Sequence, residues 1–164
     1  YMTGMNAKEF APEANLERAQ FATILYRIEK EPDVEFKNIY EDVADGEYYS
    51  DAVIWASGEG VNIITGYGAG PNKGKFGSAD AITREQLATM LYRYAKYKGY
   101  DISKVSPMEE FQDKDKVSDF AKEAMGWAVA KGLITGDNGK LNPQNNTTRG
   151  ECAKIIQRFM SNVK

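Results

Sequence analysis

Apolar positions recur at helical spacing in long stretches of this chain, each one following an arginine. After Arg84, apolar side chains stand at plus three, four, seven and ten: Leu87, Ala88, Leu91 and Tyr94. After Arg18 the same offsets give Phe21, Ala22, Leu25 and Ile28. Such a stripe marks one face of a helix turned toward a core. Two shorter helices are predicted over 48–59 and 118–131, ending at Gly60 and Gly132, the residue type favoured just past a helix C-terminus. The polar, proline-bearing stretches 29–37 and 98–110 read as connectors, and 66–77 as a glycine-rich loop. Short strand-like pairs are expected around 62–64 and 140–142.

These elements repeat. The run 81–93, Ala-Ile-Thr-Arg-Glu-Gln-Leu-Ala-Thr-Met-Leu-Tyr-Arg, matches 15–27 and, from Thr147 to Arg158, a third copy. The arginines Arg18, Arg84 and Arg149 lie 66 and 65 residues apart. The segment beginning Asp51-Ala52 with Trp55 matches the one beginning Glu123-Ala124 with Trp127, and a Thr-Gly pair recurs at Thr3-Gly4, Thr65-Gly66 and Thr135-Gly136. One unit therefore reads aromatic-x-Asp, short helix, Gly, Thr-Gly, loop, long helix. The repeats are set at 1–35 (partial), 36–105 and 106–164. The first lacks its short helix, as expected of a piece of a longer protein. No unit can bury its stripe alone, so the fold class expected is all-α: tandem helix-loop-helix repeats in a pseudo-threefold bundle, with the short helices projecting.

Composition narrows the function. The 164 residues carry a formal charge of −3, which disfavours nucleic acid as a partner. No apolar run approaches the ~20 residues of a membrane span, and 1–10 lack the apolar core of a signal peptide. Histidine is absent, which removes histidine-based triads and most zinc sites. The one cysteine, Cys152, reads as a small buried residue. No cofactor and no metal are expected. Asp113-x-Asp115 and Asp137-Asn138-Gly139 resemble pieces of calcium loops but lack the required glycine and closing glutamate. A two-carboxylate hydrolase is conceivable on composition, yet nothing singles out a pair among 24 acids.

The candidate chemistry sits at the starts of the long helices. Thr83-x-x-Gln86 and Thr148-x-x-Glu151 are capping boxes, while the first unit has the weaker Glu17 at that place. The arginine that follows opposes the helix dipole. Two explanations stand side by side: its head pairs with an acid such as Asp42 or Asp113, or it completes an anion site with the free N–H groups of the helix start. Trp55 and Trp127, with Tyr49 beside the first, are expected in the core, or else as a flat wall for a sugar ring. The glycines Gly66 and Gly136 serve either a tight turn or the close approach of a ligand.

The aromatic-x-Asp element, the Trp helix, Ile64-Thr65-Gly66-Tyr67 and Ile82-Thr83-Arg84-Glu85-Gln86 together resemble the S-layer homology repeat, over essentially the whole chain. The resemblance implies three repeats folded as one domain that anchors surface proteins to the bacterial cell wall, extracellularly and without catalysis. The implied partner is a secondary cell-wall polysaccharide carrying pyruvate ketals on N-acetylmannosamine. Carried over, Arg18, Arg84 and Arg149 meet the carboxylate, with support from Asp42, Asp113, Gly66, Gly136 and the aromatics of the short helices. The motif's acid is replaced by Gln20 and Gln86 and kept only as Glu151. Unit one lacks its short helix, so grooves that need it should be incomplete, and at most one or two competent grooves are expected. The missing short helix should leave apolar bundle surface for a second copy, in a homo-oligomer, or for an upstream segment to cover. The competing reading is a surface self-assembly or protein–protein module without glycan affinity.

Overall fold

Each long helix begins at its repeat arginine because the residue before it is a built cap. Thr83 Oγ1 accepts from Gln86 N–H at 3.3 Å, and Thr83 N–H donates to Gln86 Oε1 at 3.1 Å. Thr148 and Glu151 repeat the exchange at 3.2 and 2.8 Å. In the first unit Gln20 Oε1 takes Glu17 N–H at 3.2 Å. The computed structural model describes residues 1–5 and 8–164. It contains α1 (Arg18–Ile28), α2 (Ser50–Ser57), α3 (Arg84–Tyr97), α4 (Lys122–Ala130) and α5 (Arg149–Asn162). Single 3-10 turns at Lys114–Lys116 and Asp119–Ala121 lead into α4. The fold is all-α.

The three helix starts meet at one junction. Leu16 N–H donates to Thr147 O (2.9 Å), Thr147 N–H to Ile82 O (2.8 Å) and Ile82 N–H to Leu16 O (2.8 Å). These hydrogen bonds close a cycle through three fully buried residues in matching positions of the repeats. Removing any one unit would leave a buried donor and acceptor unpaired, so the units depend on one another. Around this junction, α2 packs on α1 and α4 on α3. Tyr26 meets Trp55 with ring centroids 5.7 Å apart, and Tyr92 meets Trp127 at 5.5 Å. The predicted stripes are buried throughout: Phe21, Ala22, Leu25 and Ile28 on α1, Leu87, Ala88, Leu91 and Tyr94 on α3.

Two local expectations are corrected. Among the described residues there is no strand. The N–H groups of Ile63 and Ile64 turn back to Ala56 O at the end of α2, at 2.8 and 3.0 Å, and those of Leu141 and Asn142 are taken by the Asp113 carboxylate. Both segments thus satisfy their donors without a ladder. The short helices are shorter than predicted. α2 stops at Ser57 because Gly58 is already extended (φ −65°, ψ 156°), two residues before Gly60. Gly132 does close its helix, with φ +68° and the Leu133 N–H reaching Ala128 O at 2.8 Å.

Among the described residues there is no third short helix to pack on α5. Where α1 and α3 present Tyr26 and Tyr92 to a tryptophan, α5 has the exposed Gln157. None of the large apolar side chains found exposed among the described residues lies on α5. The expected bare apolar surface is therefore absent from that helix, because its sequence is already polar there. Among the described residues no helix is long and apolar enough to cross a membrane.

Candidate functional site

Each arginine at a helix start is held by the loop of another repeat. Arg18 Nε–H donates to Phe76 O (2.9 Å), Arg84 Nε–H to Leu141 O (2.8 Å) and Arg149 Nε–H to Phe10 O (3.0 Å). The loops that supply these carbonyls are fixed by the two aspartates. Asp42 accepts from Phe76 N–H (2.8 Å) and Gly77 N–H (2.7 Å); Asp113 accepts from Leu141 N–H (2.7 Å) and Asn142 N–H (2.8 Å). Burial alone would raise both carboxyls. The backbone donors outweigh it and hold each below the ordinary carboxylate value. Among the described residues neither aspartate forms an ion pair with an arginine; each spends its two oxygens on backbone N–H groups.

The helix starts offer no free N–H groups. Arg84 N–H donates to Asn145 O and Glu85 N–H to Pro143 O, both at 3.0 Å; α1 and α5 make the same bonds to Asp80 and Ser78 and to Ala14 and Pro12. The helix starts therefore add no backbone donor to an anion site at these arginines.

Those groups differ in what surrounds them. Arg18, 7% exposed, has its Cζ 4.7 Å from the Tyr67 ring centroid and 5.0 Å from that of Phe76. Among the described residues no carboxylate stands within 4.0 Å of it, and no acceptor takes its terminal nitrogens. Burial lowers its pKa from the ordinary value, while Tyr67 and Asp80 oppose that shift. Arg18 faces a cavity of about 450 Å³ whose walls include Thr65, Gly66, Tyr67, Gln86, Arg93 and Phe120. Arg149, 5% exposed, faces a second cavity of about 470 Å³ with Thr3, Gly4, Gln20, Arg27 and Tyr48 at the matching places. Its terminal nitrogens reach Gln20 Oε1 (3.5 Å) and Thr3 O. Arg84 instead forms an ion pair with Glu151, Nη1 to Oε1 at 3.2 Å.

Several candidate residues lie away from these cavities. Trp127 has no exposed surface and packs among Tyr92 and Phe159, its indole N–H donating to Asp101 O (3.3 Å). Trp55, 6% exposed, packs between Tyr26 and Tyr97. Tyr49 packs against the core edge and Tyr48. Gly136 supports a turn whose outside is closed: an added Cβ would stand 2.5 Å from Phe111 Cε1. Gly66 has the same turn (φ +63°) and also lines the first cavity.

The exposed aromatic residues at the cavities are Phe120 and Tyr48, at 59% and 62%, which occupy matching places before α4 and α2. A second arginine, missed by sequence reasoning, joins each cavity: Arg93 in one and Arg27 in the other. Arg93 Nη1 contacts Ile63 O and Thr65 Oγ1, both at 3.4 Å. The signal was present, since an arginine recurs nine residues after each capping arginine, at 27, 93 and 158. Among the described residues no group of three or more acidic or thiol side chains converges as a metal site requires. Cys152 is fully buried, and burial pushes its thiol up to about 12.

Residues 110–153 match the family model described as S-layer homology domain. The chain carries an S-layer homology domain. The match spans Asp113, the Arg84-holding loop and the third capping box, the parts whose geometry recurs in the other units. Similar proteins carry related segments across nearly this whole chain. An endoglucanase of Bacillus sp. (strain KSM-635) is 30% identical over 168 residues, covering 99% of this chain and 16% of that protein. A surface-layer 125 kDa protein of Lysinibacillus sphaericus is 30% identical over 161 residues, 94% of this chain and 12% of that protein. An amylopullulanase of Thermoanaerobacterium thermosulfurigenes is 28% identical over 158 residues, 93% and 8% respectively. The chain thus spans less than a fifth of the length of these relatives. Its S-layer homology repeats place it outside the cell, at the surface.

Proposed function

We propose that this chain is a non-catalytic cell-wall anchoring module that binds an acidic wall polysaccharide in the grooves headed by Arg18 and Arg149. The observation that carries the reading is the state of Arg18. Its Nε donates to a backbone carbonyl, its Cζ lies over two aromatic rings, and it lines an open cavity with no carboxylate within 4.0 Å of it among the described residues. A guanidinium fixed in this way is pre-organised for a carboxylate, because little side-chain entropy is left to lose on binding. Arg93 adds a second positive charge to the same cavity, and Tyr67 and the exposed Phe120 supply flat apolar faces of the kind a pyranose ring stacks on. A volume near 450 Å³ falls within the usual range for small-ligand sites and accommodates a sugar unit with an acidic substituent. A pyruvate ketal on N-acetylmannosamine fits these requirements: one carboxylate, one ring, an apolar methyl.

The test is co-sedimentation with wall sacculi that retain their polysaccharide. The unaltered chain should pellet with the walls. Arg18→Gln combined with Arg149→Gln should remain in the supernatant while keeping its helical circular dichroism. Retention of that double variant on the walls would contradict the reading.

A further inference from the structure

We propose that the long loop of the second unit gives the groove of Arg18 a second saccharide subsite, walled by Gly68 and Ala69, beside the one that Arg18 heads. The inference rests on the reading above and adds the length of the sugar chain to what that groove distinguishes.

The three units close this loop in one way and fill it differently. Tyr67 N–H donates to Lys75 O at 2.9 Å, Met5 N–H to Glu9 O at 2.8 Å and Asp137 N–H to Lys140 O at 2.8 Å. The residue after each closing carbonyl is Phe76, Phe10 or Leu141, whose own carbonyl holds a helix-start arginine. Both ends are thus fixed, and added length must leave as a tip. Between the closing residues the second unit has seven residues, the first three and the third two.

The tip is braced from within. Gly74 N–H returns to Tyr67 O at 3.0 Å, Lys73 N–H to Gly70 O at 3.2 Å and Lys75 N–H to Asn72 O at 3.0 Å. Gly70 and Gly74 adopt φ +76° and +84°, a backbone that a side chain disfavours. Gly68 and Ala69 stand apart from this bracing. Both are exposed, and both line the cavity that Arg18 faces, beyond Gly66 and Tyr67. Among the described residues no protein group pairs with their N–H or C=O groups. Nothing lies within 4 Å of the place a Gly68 Cβ would take. The wall therefore offers two donors and two acceptors where a ring can come close. That set matches the hydroxyls of a sugar, each of which donates and accepts. Gly68 and Ala69 carry no charge, so the unit they take is a neutral sugar adjoining the acidic one. Because the tip is already braced, little backbone entropy is lost when it binds.

The experiment uses the full chain with Arg149→Gln, so that one groove is read. The probes are size-separated fragments from partial hydrolysis of wall polysaccharide: the single acidic sugar, and fragments of two or three sugars that contain it. The longer fragments should bind about tenfold tighter, the scale of one or two added hydrogen bonds. Replacing residues 68–74 by Asn-Gly, the pair that unit three has between Asp137 and Lys140, should bring that ratio close to one. A second measurement needs no altered loop. The amide resonances of Gly68 and Ala69 should shift on titration with the longer fragments and stay in place with the single sugar. Equal affinity for the two probes, a ratio that survives in the folded loop replacement, or unmoved Gly68 and Ala69 amides overturns this inference and leaves the groove reading standing. Failure of both probes to bind overturns both.

Discussion

Asp113 and Arg84 hold the two sides of one residue, Leu141: its N–H donates to Asp113 Oδ1 at 2.7 Å, and its carbonyl accepts from Arg84 Nε at 2.8 Å. Asp42 and Arg18 hold Phe76 in the same way, at 2.8 and 2.9 Å. The aspartate of one repeat thereby positions the arginine of another through a single backbone residue. The orientation of each arginine is thus a product of the fold.

Asp113→Asn should destabilise the protein by about 1–3 kcal/mol, because an amide can accept only one of the two N–H groups and turns its own donor toward the other. Chemical unfolding of the variant checks this. A cost below about 0.5 kcal/mol would mean that the loop holds its shape without the carboxylate.

Acid should expose the same clamps. Asp42 and Asp113 titrate below 3.8 in the folded chain and return to the ordinary value when unfolded. The unfolded chain then binds more protons between those values, so stability present above about pH 4 is lost as the pH falls through the folded values. The denaturant midpoint should drop on acidification below about pH 4. The double variant Asp42→Asn, Asp113→Asn should flatten that drop.

Gly66→Ala should cost more than the usual glycine exchange. The residue has φ +63°, and an added Cβ would lie 2.7 Å from Tyr40 Cε1 and 2.9 Å from Lys75 O. Left-handed backbone alone costs about 1–2 kcal/mol for a residue with a Cβ, and the contact with a backbone oxygen adds to it. Thermal unfolding measures the loss, and a variant as stable as the unaltered chain would show that the loop relaxes freely.

Two aromatic substitutions should separate core from groove. Trp127→Ala removes a fully buried side chain and should cost about 3–5 kcal/mol. Phe120→Ala removes an exposed ring and should leave stability within about 0.5 kcal/mol while weakening glycan binding. Equal effects on stability would contradict the assignment of the two rings.

The helices and their caps were legible because both are local patterns: the apolar offsets after Arg18 and Arg84, and Thr83-x-x-Gln86, use residues within one turn or two of each other. The site was only partly legible. Arg18 and its groove partners Tyr67 and Phe120 lie far apart in sequence and belong to three repeats. A repeat pattern shows that positions are equivalent but not which neighbours meet. The same limit applies to the aspartates, whose partners Phe76 and Leu141 lie across a loop in which nothing local calls for a carboxylate. The free N–H groups expected at the helix starts vanish for a related reason. Carbonyls such as Asp80 O and Asn145 O reach them from neighbouring repeats. Of the two readings of Trp55 and Trp127, core packing is the one their contacts display, since both rings fill the helix-on-helix contact.

The most direct test of the account is a calorimetric titration of the full chain with wall polysaccharide before and after chemical removal of its pyruvate. The account predicts measurable binding to the native polymer, weakening with added salt, and loss of that binding once the carboxylates are gone. Equal affinity for the native and the depyruvylated polymer would contradict it.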